Sequence, residues 1–192
     1  MKKLALGILG SGAGSNCRAI LEQIRAGKLE AEARLVVADT FDAGILDIAR
    51  DYGVPNIYLS PGKFRTRLEP NVEMELVRSL QEVGVELVVL AGFMRVLKEP
   101  MLAAFSRRII NIHPSLLPKF PGIESWKQAL EAGEKITGCS VHFVDAGIDS
   151  GEIIAQQEVP VLPGDTPESL HARIQIAEHA LYPEVIAQFC EA

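Results

Sequence analysis

Between residues 3 and 112 the chain alternates short apolar runs of strand length with longer stretches of helical period, and this alternation restricts the fold more than any other feature. The runs at 3–9, 35–38, 56–59, 86–91 and 108–112 are rich in Leu, Val, Ile and Ala. The stretches at 17–26, 43–52, 72–83 and 100–105 carry helical spacing, as in Ile20, Leu21 and Ile24 or Ile45, Leu46, Ile48 and Ala49. Strands separated by helices predict right-handed crossovers and a mostly parallel sheet with helices on both faces. The last third differs. Residues 136–144 and 152–161 are long and β-rich, joined by a turn at 145–151, and predict an antiparallel pair added to the parallel sheet. A closing helix is expected from Thr166 as N-cap, with Pro167 at its first position and Ser169 three residues on. It runs to about residue 188, and Pro183 is expected to kink or divide it.

The fold class is therefore α/β, a Rossmann-like, mostly parallel sheet with an antiparallel strand pair in the C-terminal third. A length of 192 residues suits one domain, and 48% hydrophobic with 23% charged residues excludes disorder and membrane residence as expectations. The basic start at Lys2 and Lys3 leads into an apolar stretch broken at once by glycine, so it reads as a first strand rather than a signal peptide. No apolar run approaches the roughly 20 residues that cross a bilayer, and a cytoplasmic location is expected. A net charge of −6 disfavours a nucleic-acid surface, which needs clustered cations. Cys17, Cys139 and Cys190 are odd in number and far apart, which implies neither a disulfide framework nor a metal site, and they read as small apolar residues.

Two segments carry chemistry. Gly10-Ser11-Gly12-Ala13-Gly14-Ser15-Asn16 lies between the first strand and first helix, where backbone N–H groups and the positive helix end converge and suit one phosphate. Its spacing lacks the third glycine of the dinucleotide fingerprint, and no Gly-Lys-Ser/Thr follows. Asp39, at the end of the second strand, imitates a ribose-binding acid but reads better as a solvated loop carboxylate. Asn111-Ile112-His113-Pro114 begins at the carboxyl end of a central strand, the edge where open α/β sheets bind ligands. Alternation turns Asn111 and His113 to one side, so an amide and an imidazole converge on one substrate atom and can stabilise a developing oxyanion. Pro114, Pro118 and Pro121 stiffen the loop behind them. Asp145 or Asp149, in the later turn, supplies a carboxylate that would raise the pKa of His113 and keep the ring partly protonated near neutrality. His142 and His171 read as structural.

Gly12–Ala13–Gly14–Ser15–Asn16, Ala91–Gly92–Phe93–Met94–Arg95, residues 111–122 and Gly147–Ile148–Asp149–Ser150–Gly151 together resemble the glycinamide ribonucleotide formyltransferases of purine synthesis, across nearly the whole chain. The Asn-x-His-Pro-Ser-Leu-Leu-Pro segment with a later Asp is shared by folate-dependent formyltransferases in general. The glycine loop and Glu178-His179-Ala180 are similar to features of the glycinamide branch. The resemblance implies a single formyltransferase domain over 1–192, with a phosphate-binding half at about 1–100 and a catalytic and folate-binding half at about 101–192. It implies that Asn111 bonds the formyl oxygen, His113 is the charged acid and Asp149 holds the imidazole protonated. Gly14, Ser15 and Asn16 would hold the ribonucleotide phosphate, and Glu178 the ribose or glycinamide portion. Arg67, Met94, Arg95, Val96, Leu97 and Asn111 would line the site of 10-formyltetrahydrofolate, the formyl donor. No metal is implied, and the expected partners are the two small-molecule substrates, on a monomer or homodimer, without nucleic acid or membrane.

Rival readings remain at this point. Formyltransferases acting on methionyl-tRNA or amino sugars carry extra domains that 192 residues do not accommodate, and formyltetrahydrofolate hydrolases carry an added N-terminal domain for which a first strand at residue 3 leaves no room. A non-catalytic binding module or a dinucleotide-dependent dehydrogenase shares the same strand and helix pattern.

Overall fold

The computed structural model describes residues 2–191. Along the chain the elements are β1 (Leu4–Gly10), α1 (Ser15–Arg25), β2 (Ala31–Ala38), α2 (Gly44–Asp51), β3 (Asn56–Tyr58), α3 (Pro70–Glu82) and β4 (Leu87–Leu90). They continue as α4 (Glu99–Ala104), β5 (Ile109–His113), α5 (Ser125–Glu131), β6 (Ile136–Phe143), β7 (Ile153–Pro160) and α6 (Pro167–Cys190). The strands form one seven-stranded sheet in the order β3-β2-β1-β4-β5-β6-β7. β1 to β5 pair in parallel, whereas β5–β6 and β6–β7 are antiparallel. The boundary expected near residue 100 falls between β4 and β5, which pair directly within this one sheet.

Helices cover both faces. On one face β1, β4 and β5 contribute Leu6, Ile8, Leu87, Val89, Ile110 and Ile112 to a core with Ile20 of α1, Ile45 of α2, and Ile174 and Tyr182 of α6. On the other, Leu9, Val37, Val88, Leu90 and Ile109 pack with Leu76 and Leu80 of α3 and Met101 of α4. Strands buried on both faces have no polar side to alternate, which is why β1 and β4 read as continuous apolar runs. Past β4 the second face changes character: α3 and α4 do not reach β6, and the alternate residues there are Asn111, His113, Ser140 and His142.

The structure departs from the sequence reading in three places. β2 starts at Ala31, because parallel pairing with Leu4 extends it backward through a segment of mixed polarity. A short helix, α5, forms where none was expected, and its Trp126 ring stacks on His171 of α6 with centroids 3.8 Å apart. α6 runs unbroken through Pro183. Losing one backbone donor does not divide it because Pro183 is buried between Tyr182 and Val185, so tertiary packing outweighs the local penalty. The Tyr182 hydroxyl, wholly buried, donates toward the Leu90 and Ile110 carbonyls at 2.9 and 3.1 Å and ties α6 to β4 and β5. No helix among the described residues is long and apolar enough to cross a membrane.

Candidate functional site

β1 is flanked by β2 on one side and β4 on the other, so the chain reverses its direction of strand addition there and leaves a crevice at the carboxyl edge. The glycine loop enters this crevice after β1. Gly14 caps α1 at φ 79°, a left-handed conformation, and a Cβ there would lie 2.8 Å from the Ile45 Cα, so only glycine fits. No acidic residue occupies the first turn of α1, which leaves its positive end available to an anion. Asn16 turns inward and donates from Nδ2 to Glu178 Oε2 at 2.9 Å, while its Oδ1 is buried without a partner. Burial pushes the Glu178 carboxyl up to about 7, against the bond from Asn16, so this acid is partly protonated near neutrality.

The second group gathers where β5 meets β6. Asn111 and His113 lie on the part of the second face that α3 and α4 leave uncovered, and antiparallel register sets His142 opposite Asn111 and Ser140 opposite His113. The 145–151 turn then brings Asp149 over the imidazole, with Oδ2 at 3.4 Å from His113 Nδ1 and Oδ1 at 3.6 Å from His142 Nε2. The choice between the two turn carboxylates is resolved by geometry. Asp145 Oδ1 accepts from the Gly147 N–H at 3.0 Å and the Ser150 hydroxyl at 2.8 Å, which is turn chemistry, while Asp149 faces the histidines. The turn closes tightly enough that a Cβ on Gly151 would lie 1.8 Å from the Phe143 carbonyl oxygen. Asp149 itself sits at φ 49° and Phe120 at φ 55°, and such conformations of non-glycine residues concentrate at functional sites.

The hydrogen bonds of the two rings assign their roles. His142 Nδ1–H donates to the Phe143 carbonyl at 2.8 Å, leaving Nε2 to accept from Asn111 Nδ2 at 3.2 Å. One amide hydrogen of Asn111 is thereby used, and the other is free for a substrate oxygen. His142, read from sequence as structural, is thus part of the site. His113 Nε2–H donates to the Phe120 carbonyl at 2.9 Å, so its two nitrogens face two acceptors, Phe120 and Asp149. A doubly protonated ring satisfies both. Burial opposes that charge and is the larger influence: it pushes His113 below the ordinary imidazole value, assisted by His142, despite Asp149 and the Phe120 carbonyl. The expectation that the carboxylate keeps the ring charged near neutrality is corrected accordingly; the neighbour is present and desolvation outweighs it. For Asp149, burial works to raise the carboxyl, but the Gly122 N–H at 2.8 Å and the neighbouring His113 are among the groups that hold it below its ordinary value.

Apart from Asn111, the residues expected around the donor form a third group that follows β4 and borders the glycine loop. Val96 N–H donates to the Thr66 carbonyl at 2.9 Å, and a parallel bridge joins Arg67 to Val96. The Arg67 guanidinium lies 4.2 Å over the Phe64 ring. Met94 is 65% exposed, with its N–H on Ser11 Oγ at 2.8 Å, while the Leu97 side chain is buried in the core. Arg95 is already engaged: Nε donates to Asp39 Oδ2 at 2.5 Å and Nη1 to the Phe64 and Arg65 carbonyls at 2.7 and 2.5 Å. Asp39 is consequently a buried ion-pair partner rather than the solvated loop carboxylate expected, with Oδ2 on Arg95 and Oδ1 buried without a partner. The cysteines fit their reading as apolar residues, since burial pushes the Cys17 and Cys139 thiols up to about 12.

The sequence reading missed His142, the Phe120 carbonyl and the Gly122 N–H. A polar residue inside an otherwise buried β-run, between Val141 and Phe143, was the available signal for His142. The two backbone groups had none.

The formyl transferase family matches residues 3–186 of the chain. The chain is 40% identical over 184 residues to a phosphoribosylglycinamide formyltransferase of Escherichia coli, covering 96% of this chain and 86% of that protein. It is 46% identical over 182 residues to the trifunctional purine biosynthetic protein adenosine-3 of Drosophila pseudoobscura pseudoobscura, covering 94% of this chain but only 13% of that larger protein. The crystal structure of glycinamide ribonucleotide transformylase 1 from Symbiobacterium toebii superposes with a TM-score of 0.94 at 48% identity, covering 99% of this chain and 89% of that one.

Proposed function

The chain belongs to the formyl transferase family, and from that premise we propose that it transfers the formyl group of 10-formyltetrahydrofolate to the amine of glycinamide ribonucleotide, a step of purine synthesis. Proteins named for that activity in Escherichia coli and Bacillus subtilis match it over 96% and 98% of its length, which supports this acceptor over methionyl-tRNA or an amino sugar. The observation that carries the reading is the meeting of Asn111, His113 and Asp149 at the carboxyl edge of the sheet, across the crevice from a glycine loop bonded to Glu178.

In this reading the neutral amine attacks the formyl carbon and forms a tetrahedral intermediate without a covalent enzyme adduct. The free amide hydrogen of Asn111 meets the formyl oxygen, where negative charge develops. His113 starts with a depressed proton affinity, and the oxyanion raises that affinity as it forms, so the ring becomes charged when the charge is useful. The attacking nitrogen gives up a proton and the folate nitrogen takes one as its bond to the formyl carbon breaks; His113 and Asp149 relay these protons. Backbone N–H groups of Gly14, Ser15 and Asn16 hold the ribonucleotide phosphate, and Glu178 takes its ribose or glycinamide portion. Arg67, Met94 and Val96 line the donor site together with the backbone of Leu97, and Arg95 contributes by fixing the 64–66 segment against Asp39. The enzyme works in the cytoplasm, as a monomer or homodimer, on small molecules rather than on nucleic acid or membranes.

The test is a spectrophotometric assay of the purified chain with 10-formyltetrahydrofolate, with and without glycinamide ribonucleotide. Tetrahydrofolate released only with the ribonucleotide supports the reading. Release without it makes the protein a hydrolase, and no release under either condition removes the proposed reaction.

A further inference from the structure

His113 is held by a carbonyl in a loop, and that loop is held in turn from the far strands. Register sets three residues in one row across the sheet: His113 on β5, Ser140 on β6 and Gln156 on β7. Ser140 is wholly buried, and its hydroxyl donates to the Ser115 carbonyl at 2.6 Å. The same oxygen accepts from the Leu117 N–H at 3.0 Å and from Gln156 Nε2 at 2.8 Å. One donor and two lone pairs are thereby filled, and none of these bonds serves the apolar core. The second hydrogen of Gln156 Nε2 goes to the Leu117 carbonyl at 2.9 Å. Ser115 extends the chain of bonds by donating to the Lys119 carbonyl at 2.6 Å, with the Phe120 carbonyl 3.4 Å away. The Phe120 carbonyl then accepts from His113 Nε2–H.

We propose that Ser140, supported by Gln156, is a positioning residue for His113, acting through the 115–120 segment to fix the Phe120 carbonyl that orients the imidazole. The proposal rests on the reading of His113 as the proton-handling group. Phe120 sits in a left-handed conformation, which persists only where its surroundings over-determine it, and the Ser140 and Gln156 bonds do so at residues 115 and 117. With Phe120 fixed, the ring can only present Nδ1 to Asp149. If Phe120 moves, the ring gains rotational freedom, and misplacement of a reacting group by about 1 Å costs on the order of a hundredfold in rate. The ionisable groups facing the ring are Asp149 from the β6–β7 turn and His142 from β6; Lys119 points outward and pairs with Glu134.

The experiment compares Ser140→Ala, Ser140→Thr and Gln156→Leu with the parent and with His113→Ala, measuring kcat, KM for glycinamide ribonucleotide, Tm and the pH profile of kcat in the full chain. Ser140→Ala is expected to lose roughly tenfold or more in kcat while KM for the ribonucleotide stays within about twofold. The low-pH fall in kcat, which follows protonation of the resting ring, moves to lower pH, since the Phe120 carbonyl is one of the groups that raise the ring's proton affinity. Ser140→Thr, which keeps the hydroxyl, restores most of the rate and the parent profile. Gln156 is exposed on an edge strand, so Gln156→Leu folds even where Ser140→Ala does not, and it shows the same pattern with a smaller loss. A parent-like kcat and pH profile in Gln156→Leu and in folded Ser140→Ala overturns the proposal, as does a loss confined to KM or Tm. Full turnover in His113→Ala would instead remove the underlying reading. An inactive His113→Ala beside unaffected Ser140 and Gln156 variants removes only the positioning role.

Discussion

β5 and β6 show two faces that are finished in different ways. On one, Ile110, Ile112, Cys139 and Val141 pack under α6 in a wholly apolar layer. On the other, Asn111, His113, Ser140 and His142 lie beneath loops, and what closes that face is a set of directed hydrogen bonds to backbone carbonyls and N–H groups. Neighbouring residues of one strand therefore contribute to different quantities. The apolar face supplies burial, which is non-directional and tolerant of small shifts in position. The polar face supplies orientation, which is not.

Substitution of two adjacent residues tests this separation most severely. His113→Ala is expected to lower kcat by about 10²–10⁴-fold, the range for loss of a general acid or base, with ribonucleotide binding and Tm close to the parent. Ile112→Ala, one residue earlier, is expected to cost about 2–5 kcal/mol in urea unfolding while the folded protein keeps its turnover. If His113→Ala unfolds the chain and Ile112→Ala is folded but inactive, the two faces do not divide as argued. A smaller effect in kcat comes from Asn111→Ala, which removes one oxyanion donor and is expected to cost about 10²–10³-fold. A kcat within threefold of the parent in that variant removes Asn111 from the transition state.

How much of this contrast the sequence announced depends on how local each feature is. Alternation along residues 109–113 sufficed to set Asn111 and His113 on one side, because side-chain direction in a strand follows from a period of two. The strand–glycine loop–helix opening was equally local. Residue type and spacing alone did not separate Asp149 from Asp145, and only the resemblance singled out Asp149, since either could accept the bonds of Gly147 and Ser150 until the turn was folded. His142 depends on which residue of β5 faces it, a register that long-range pairing sets and that no local pattern reports. The Phe120 carbonyl and Gly122 N–H carry no side-chain signal at all. Pro183 and Asp39 show the opposite failure, a sound local rule overridden by burial in one case and by a partner 56 residues away in the other.

The smallest expected effect concerns charge buried on the two sides of the crevice, and there the signs oppose. His113 binds its proton less readily folded than the ~6.5 of an unfolded ring, so the unfolded chain takes up more protons and stability falls as pH drops below about 6.5. His171 and His179, both lowered by burial, add in the same direction. Glu178 behaves oppositely. Its folded value of about 7 lies above the ~4.3 of an unfolded glutamate, so its contribution is complete at low pH and is lost as pH rises from about 4 through 7. Glu178→Gln keeps a hydrogen-bonding side chain opposite Asn16 but cannot ionise, and it is expected to raise Tm at pH 8 by a few degrees over the parent, with little change at pH 5. The same variant weakens ribonucleotide binding if the carboxyl meets the substrate. Thermal unfolding between pH 5 and 8 decides the point: equal Tm values for parent and variant at pH 8 would mean that Glu178 is not held above its ordinary value, and that its burial carries no penalty when charged.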